Sequence, residues 1–121
     1  MNQNEQGTVK PEITYEDFSK LDIRAGTVLS AERVEGSEKL IRLQVDFGPE
    51  IGQKQILTGL LKWYKPESFV GMQTTFIVNL PPRKMMGLMS EGMILALGLS
   101  DEEKPALLKP KRKVKNGEGV R

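Results

Sequence analysis

Apolar and polar side chains alternate along much of this chain, which is typical of strands with one buried face. The clearest example is residues 40–47, in which Ile41, Leu43, Val45 and Phe47 share one face and polar residues occupy the other. Related patterns predict further strands at 23–34, 53–59, 74–80, 93–99 and, as a short sixth strand, 106–110. The chain is therefore predicted to be rich in short strands.

Two stretches interrupt the alternation and indicate short helical pieces. Residues 13–18, ITYEDF, place Thr14 as a helix N-cap, with Asp17 three residues further on. Residues 60–71 contain a proline and suit a short helix or turn between the third and fourth strands. Gly26 predicts a bend or bulge in the first strand. Five strands with a helical piece in this place indicate an all-β OB-fold, a five-stranded Greek-key barrel, with a C-terminal extension; an SH3-like barrel gives a similar pattern.

Length and composition fit one globular domain that is not bound to a membrane. The chain has 121 residues, of which 38% are hydrophobic, and no run approaches the roughly 18 apolar residues that span a bilayer. The polar residues 1–12 are expected to be a flexible segment, and residues 13–121 the barrel domain. The N-terminus has no apolar region typical of a signal peptide, and there is no cysteine, which together favour a cytoplasmic location.

The composition excludes most catalytic chemistry. Without His or Cys, the chain has no imidazole base, no thiol nucleophile and none of the usual zinc ligands. Neither a Walker-type loop nor a dinucleotide-binding glycine motif is present. The acidic residues 101–103 are consecutive, so they are read as a solvated turn rather than a calcium site. We therefore expect a non-catalytic binding protein without a cofactor or metal.

Charge is distributed unevenly along the chain. Residues 1–50 hold ten acidic and six basic side chains, whereas residues 51–121 hold six acidic and twelve basic ones. The last part, 104–121, has seven basic residues and a single acid, Glu118. Such asymmetry suggests a basic face that could meet a polyanion, although charge alone fits a solvated tail equally well.

Residues 79–93, NLPPRKMMGLMSEGM, combine cations with soft apolar side chains. The two prolines disfavour a regular element at its start. Methionine is flexible and polarizable, so Met85, Met86 and Met89 suit a surface that adapts to a partner, whether an RNA base, a peptide or a second subunit. We expect some of them to be buried and one or two to be presented. The segment is interpreted as a loop that forms a contact surface.

The aromatic pair Trp63 and Tyr64 has two possible roles. Adjacent aromatic side chains can form a stacking platform for nucleic-acid bases. The favoured interpretation is that the pair closes one end of the barrel, because large aromatic side chains are usually buried.

Specific motifs then identify a family resemblance. The stretches DFSKLDIRAGTVLSAERVEGSEKLIRLQVDFG, YKPESFVG and VNLPPRKMMGLMSEGMILA resemble the tRNA-binding domain found at the C-terminus of many methionyl-tRNA synthetases and as free-standing tRNA-binding proteins. The domain is also similar to the tRNA-binding half of the endothelial monocyte-activating polypeptide family. The resemblance implies an OB barrel that recognises the folded shape of tRNA largely irrespective of sequence. It also implies a homodimer, either free-standing or attached to the catalytic region of a methionyl-tRNA synthetase.

By match of motif, the resemblance implies RNA-binding positions at Lys39, Asn79, Lys84, Ser90 and Met93. Lys84 and its neighbour Arg83 can pair with phosphates. Asn79 and Ser90 can bond a base or a sugar, or can instead satisfy the backbone of a turn, and Met93 could equally be core. If the segment serves tRNA, we expect Lys39, Asn79, Lys84 and Ser90 to lie together on one open face.

A second branch of the family offers an alternative function. VDFGPEIGQKQI, the Pro81–Pro82 pair and VKNGEGV also resemble CsaA-type export chaperones, which share the fold and bind unfolded polypeptides.

Overall fold

The computed structural model describes residues 9–121, so most of the segment predicted to be flexible, 1–12, lies outside the described residues. Residues 9–12 are exposed and have no regular structure. Helix α1 (Tyr15–Ser19) begins as predicted, because the Thr14 hydroxyl accepts a hydrogen bond from the Asp17 N–H at 3.0 Å. The strands are β1 (Ile23–Arg33), β2 (Ile41–Asp46), β3 (Gln53–Thr58), β4 (Gln73–Ile77), β5 (Arg83–Met85), β6 (Leu88–Ser90), β7 (Met93–Ile94), β8 (Ala96–Leu97) and β9 (Ala106–Leu107).

Five of these strands form one antiparallel sheet that curls into a nearly closed barrel. The order across the sheet is β3-β2-β1-β4-β7, with a 3-10 helix at Pro66–Phe69 between β3 and β4. The long strand β1 is central: its second half pairs with β2 and its first half pairs with β4. The predicted all-β, OB-type barrel is confirmed.

The barrel is filled by side chains from the buried face of each strand. In β2 the predicted alternation holds, because every second residue from Ile41 onward is buried. Phe47 and Phe76 meet edge to face in the core, with 5.2 Å between ring centroids. Trp63 and Tyr64 are partly buried and pack against this core, as the favoured interpretation expected.

Two details of the predicted strands are wrong. The irregularity in β1 lies between Val28 and Ser30 rather than at Gly26. Gly26 is instead a point of close approach, because a Cβ atom there would lie 2.6 Å from Val45 Cγ1. The single fifth strand predicted at 93–99 is split: β7 continues the barrel, whereas β8 leaves it and pairs with β9.

The chain after β9 is not a loose tail. Residues 114–120, here called the C-terminal strap, run along the part of β1 that β2 leaves unpaired. The Ala25 N–H donates to the Glu118 carbonyl at 2.9 Å, the Gly117 N–H donates to the Ala25 carbonyl at 2.8 Å, and the Val120 N–H donates to the Ile23 carbonyl at 2.9 Å. The strap therefore extends the sheet.

The Arg24 side chain holds the strap by a hydrogen bond. Its guanidinium donates to the Asp22 carboxylate at 2.5 Å, to Glu50 at 3.3 Å and to the Gly117 carbonyl at 3.1 Å. The hydrogen bond with Asp22 raises the pKa of the Arg24 guanidinium above its ordinary value; burial opposes this rise and Glu50 adds to it. Arg24 therefore stays charged, and its hydrogen bond to Gly117 joins β1 to the strap.

Within residues 9–121, none of the helices is both long enough and apolar enough to cross a membrane.

Candidate nucleic-acid interface

The methionine-rich segment forms a β-hairpin rather than an irregular loop. Strands β5 and β6 pair in the register Arg83–Ser90, Lys84–Met89 and Met85–Leu88. The two residues between them, Met86 and Gly87, both have positive φ, at 52° and 81°, which is the signature of a type I′ turn. The prolines at 81 and 82 lie just before the first strand and remain outside it.

The register of the hairpin assigns its side chains to two faces. Opposed residues share a face and successive residues alternate, so Met85 and Leu88 lie on the same side as the buried Ser90. Lys84 and Met89 are cross-strand neighbours on the other side, where both are exposed. Arg83 is exposed as well, but its position in the register belongs to the Ser90 side. A cation and a methionine are therefore paired on the outward face.

The exposure of the methionines follows this division. Met85 is half-buried, while Met86 at the turn and Met89 are 57% and 43% exposed. Two methionines are therefore presented, as expected, whereas none of the three is fully buried. Met93, for which a core position was an alternative, is 45% exposed and pairs with Ile77 at the barrel edge; the core alternative is wrong.

Ser90 and Glu91 join the hairpin to β3. The Ser90 side chain is only 3% exposed; its hydroxyl accepts from the Leu57 N–H and donates to the Gly92 carbonyl, both at 3.0 Å. The Glu91 carboxylate accepts from the Gln55 N–H at 2.8 Å, and its own N–H donates to the Gln55 carbonyl, also at 2.8 Å. These hydrogen bonds link the end of the hairpin to β3 at the place where β3 and β7 do not pair, and so complete the barrel. We call Ser90 and Glu91 the clasp.

Gly92 allows the clasp to lie close against the barrel. A Cβ atom at this position would lie 2.7 Å from the Ile77 carbonyl oxygen and 2.9 Å from Ile56 Cδ1. Both distances are too short for a side chain, so the motif Ser-Glu-Gly is a structural unit that sets where β6 ends.

Asn79 holds the base of the hairpin segment. Its side-chain carbonyl accepts from the Asp22 N–H at 2.9 Å, and its amide donates to the Lys20 carbonyl at 2.7 Å. Both polar atoms are thus engaged with the chain between α1 and β1, although the residue itself is exposed. A ligand would therefore compete with these bonds for the Asn79 amide.

Lys39 lies in the turn between β1 and β2, and its side chain is exposed. The turn is fixed by Ser37, whose buried hydroxyl accepts from the N–H groups of Lys39 and Leu40, each at 3.1 Å. This turn neighbours the hairpin tip, because a Cβ at Gly36 would lie 3.7 Å from the terminal methyl of Met86. The structure therefore brings the Lys39 turn and the hairpin tip together.

Within residues 9–121, Lys39, Arg83 and Lys84 have no carboxylate within 4.0 Å. Their charges are free to attract an anion. In the same part of the chain, no three acidic side chains are arranged so that they could hold a metal ion. The acidic residues 101–103 form an exposed turn, as predicted.

Sequence reasoning missed Glu91 and Gln55, which hold the hairpin in place. A hydrophobic pattern cannot show such a pair, since the two residues are 36 positions apart. The available signal was the serine, glutamate and glycine run itself, because consecutive residues of these types often satisfy backbone groups.

This chain is similar to known proteins over most of its length. Residues 23–119 match the family model described as "Putative tRNA binding domain". The chain is 46% identical over 112 residues, 93% of its length, to a methionine–tRNA ligase of Methanothrix thermoacetophila, but it spans only 16% of that enzyme's length.

Two solved structures are similar over nearly the whole chain. The chaperone CsaA of Bacillus anthracis is 37% identical, with a TM-score of 0.81 over 92% of this chain and 100% of that one. A protein of Pyrococcus horikoshii described as related to methionyl-tRNA synthetase is 31% identical, with a TM-score of 0.84 over 93% and 100%. On the match of 23–119 and the confirmed barrel, this chain belongs to the tRNA-binding domain family.

Proposed function

We propose that this chain is a non-catalytic module that binds tRNA by its shape, largely independently of sequence. The observation that carries the proposal is the outward face of the hairpin, on which Lys84, with no carboxylate within 4.0 Å among residues 9–121, lies beside Met89. The tip of the same hairpin neighbours the turn that bears Lys39. Family membership supports the same ligand. A cytoplasmic location follows from the proposal, because that is where tRNA is used.

The chemistry of this face suits a folded RNA. Lys84 and Lys39, with Arg83 at the edge, supply charge for phosphates, which dominate affinity without reading sequence. Met86 and Met89 supply soft contacts to riboses or to an unstacked base. Asn79 and Ser90 enter the proposal as residues that position the hairpin, because their polar atoms are already bonded to the backbone. Met93, which is exposed on β7, is included in the proposed contact surface.

A salt titration with total tRNA tests the proposal. Affinity should fall linearly with the logarithm of salt concentration, and Lys84→Ala should lower affinity and reduce the slope by about 0.7–0.9. Lys10→Ala, which removes an exposed charge far from the hairpin in sequence, is the matched control and should change neither. A short RNA hairpin serves as the comparison for shape preference. Equal tRNA affinity at about 50 and about 200 mM salt would refute the proposal.

Dimerisation is a second part of the proposal. An apolar groove of about 430 Å³ lies between the start of β1, β4 and the C-terminal strap, lined by Ala25, Leu95, Leu108 and Val120 among others. It contains the buried Thr75 hydroxyl, which has no hydrogen-bond partner within residues 9–121. Val120, one of the lining residues, is 47% exposed. A second copy covering this surface would bury it and double the RNA-binding area.

Sedimentation equilibrium at micromolar concentration checks this part. The wild type should sediment as a dimer, and Val120→Glu should shift it toward the monomer, since a charge would then lie in the groove that the second copy covers. Leu29→Glu, at an exposed position of the β1 bulge, is the control and should leave the dimer intact. If the wild type sediments as a monomer, the proposed dimer is wrong. The proposal of tRNA binding is tested separately by the salt titration.

The alternative function is that of a chaperone for unfolded polypeptides, favoured by the exposed Met86 and Met89 and by the likeness to CsaA. A paired measurement separates the two functions. Changing Met85, Met86 and Met89 together to Gln should weaken tRNA binding only modestly, because phosphate contacts remain. If the chain is a chaperone, that variant should lose suppression of client aggregation, and Lys84→Ala should leave both activities intact.

A further inference from the structure

A second concentration of positive charge lies well away from the hairpin. Residues 109–115 read KPKRKVK, with five cations and no acid. All five cationic side chains are exposed, and within residues 9–121 none has a carboxylate within 4.0 Å. Residues 109–113 are here called the basic arch. The charges of these cations are therefore not neutralised by ion pairs within residues 9–121.

The backbone of the basic arch is held at both ends by two adjacent buried residues of β4. The Thr74 hydroxyl donates to the carbonyl of Leu108, just before the arch. The side-chain amide of Gln73 bonds twice to Val114, just after it, accepting from its N–H at 3.0 Å and donating to its carbonyl at 2.7 Å. Because both anchors are on the barrel, the arch is a fixed surface feature and not a flexible tail.

The arch and the turn before β4 enclose a groove. The groove measures about 440 Å³ and is lined by Ser68, Gly71 and Gln73 on one side and by Lys109 and Lys113 on the other. This volume lies within the range of about 300–1,000 Å³ seen for ligand pockets. No carboxylate lines it among the described residues, and its lining combines two ammonium groups and the polar side chains of Ser68 and Gln73 with the apolar side chains of Val70, Met72 and Pro110.

We propose that the basic arch binds phosphodiester groups of an RNA backbone through Lys111, Arg112 and Lys113, as a second contact separate from the hairpin. Lys109 also lines the apolar groove assigned to the dimer, so it takes no part in this contact. The inference rests on the proposed tRNA-binding function.

The arch is anchored beside Gln73 and Thr74, where β4 begins, and the chain runs on toward the hairpin from Ile77, where β4 ends. The two ends of this strand are about 13 Å apart at roughly 3.3 Å per residue. A folded RNA large enough to span both would be held at two points on one rigid barrel.

Rigidity is what makes the arch suitable for this role. A disordered basic tail loses conformational entropy when it binds, whereas an arch anchored at 108 and 114 has already given up much of that entropy on folding. Each phosphate that is neutralised releases condensed counterions, so the arch should contribute mainly to the salt-dependent part of affinity.

The test is a salt titration of tRNA binding by the triple variant Lys111→Gln, Arg112→Gln, Lys113→Gln. These changes leave Gln73, Thr74 and the anchored backbone in place. The log–log slope should become shallower by about 0.7–0.9 for every phosphate that the variant no longer neutralises. Each such phosphate makes the loss of affinity between about 50 and 200 mM salt smaller by about threefold. The control variant changes Lys10, Lys104 and Arg121 to Gln and removes the same charge elsewhere on the exposed surface.

The outcomes separate this inference from the proposed function. A shallower slope in the arch variant alone, with the control equal to the wild type, supports the inference. A wild-type slope in the arch variant overturns it while leaving tRNA binding by the hairpin intact. An equal reduction in both triple variants also overturns it, because net charge rather than the arch would then matter. Wild-type protein that fails to bind tRNA overturns both.

Discussion

Replacing Ser90 by Ala tests whether this residue builds the hairpin or touches RNA. The substitution removes the hydroxyl that accepts from the Leu57 N–H and donates to the Gly92 carbonyl. Leu57 is 4% exposed, so its N–H would be left without a partner and without water. An unsatisfied buried donor costs about 1–3 kcal/mol. We therefore expect the free energy of unfolding to fall by about 2 kcal/mol.

Urea and thermal unfolding measure this change in stability. For a domain of this size, a change of about 2 kcal/mol corresponds to a melting temperature lower by about 8 °C. Ser30→Ala, at an exposed position of β1, is the control and should stay within about 0.5 kcal/mol of the wild type. At room temperature the folded Ser90→Ala protein should keep most of its tRNA affinity. Unchanged stability together with abolished tRNA binding would refute the positioning role and make Ser90 a direct RNA contact.

Three further substitutions test other parts of the structure. Gly92→Ala should cost about 1–3 kcal/mol of stability, because its Cβ would lie 2.7 Å from the Ile77 carbonyl oxygen, whereas Gly59→Ala, with no atom within 4 Å, should be nearly neutral in the same urea titration. Met86→Asn should raise the melting temperature by a few degrees, since Asn tolerates the left-handed turn position better; a lower melting temperature would contradict the type I′ assignment. Arg24→Gln should speed hydrogen exchange of the strap amides, and unchanged protection there would show that Arg24 does not hold the strap.

The strands that the sequence predicted well are those whose pattern reflects a single buried face. In β2 the alternation of Ile41, Leu43 and Val45 is imposed by the core alone, so it can be read without knowing the neighbours. The break after Ile94 could not be read in this way. Residues 93–99 form a nearly continuous apolar run, and only the pairing of β8 with β9 shows that the chain leaves the barrel there.

The site was predictable in composition but not in geometry. Cations beside methionines indicated a contact surface, yet prolines and methionines are poor strand signals, so the hairpin was read as a loop. The roles of Ser90 and Asn79 depend on partners 33 and 57 or more residues away. Such partners follow from topology, which local pattern does not contain.

The position of the strap has a consequence for how the protein is made. Because the Ile23–Ala25 edge of the central strand is completed by residues 117–120, this edge stays unpaired until those residues have left the ribosome. Contacts of such large sequence separation form slowly, and unpaired strand edges are prone to aggregate while they wait. Translation past the strap, rather than synthesis of the barrel strands, should therefore set when the nascent domain becomes protease resistant.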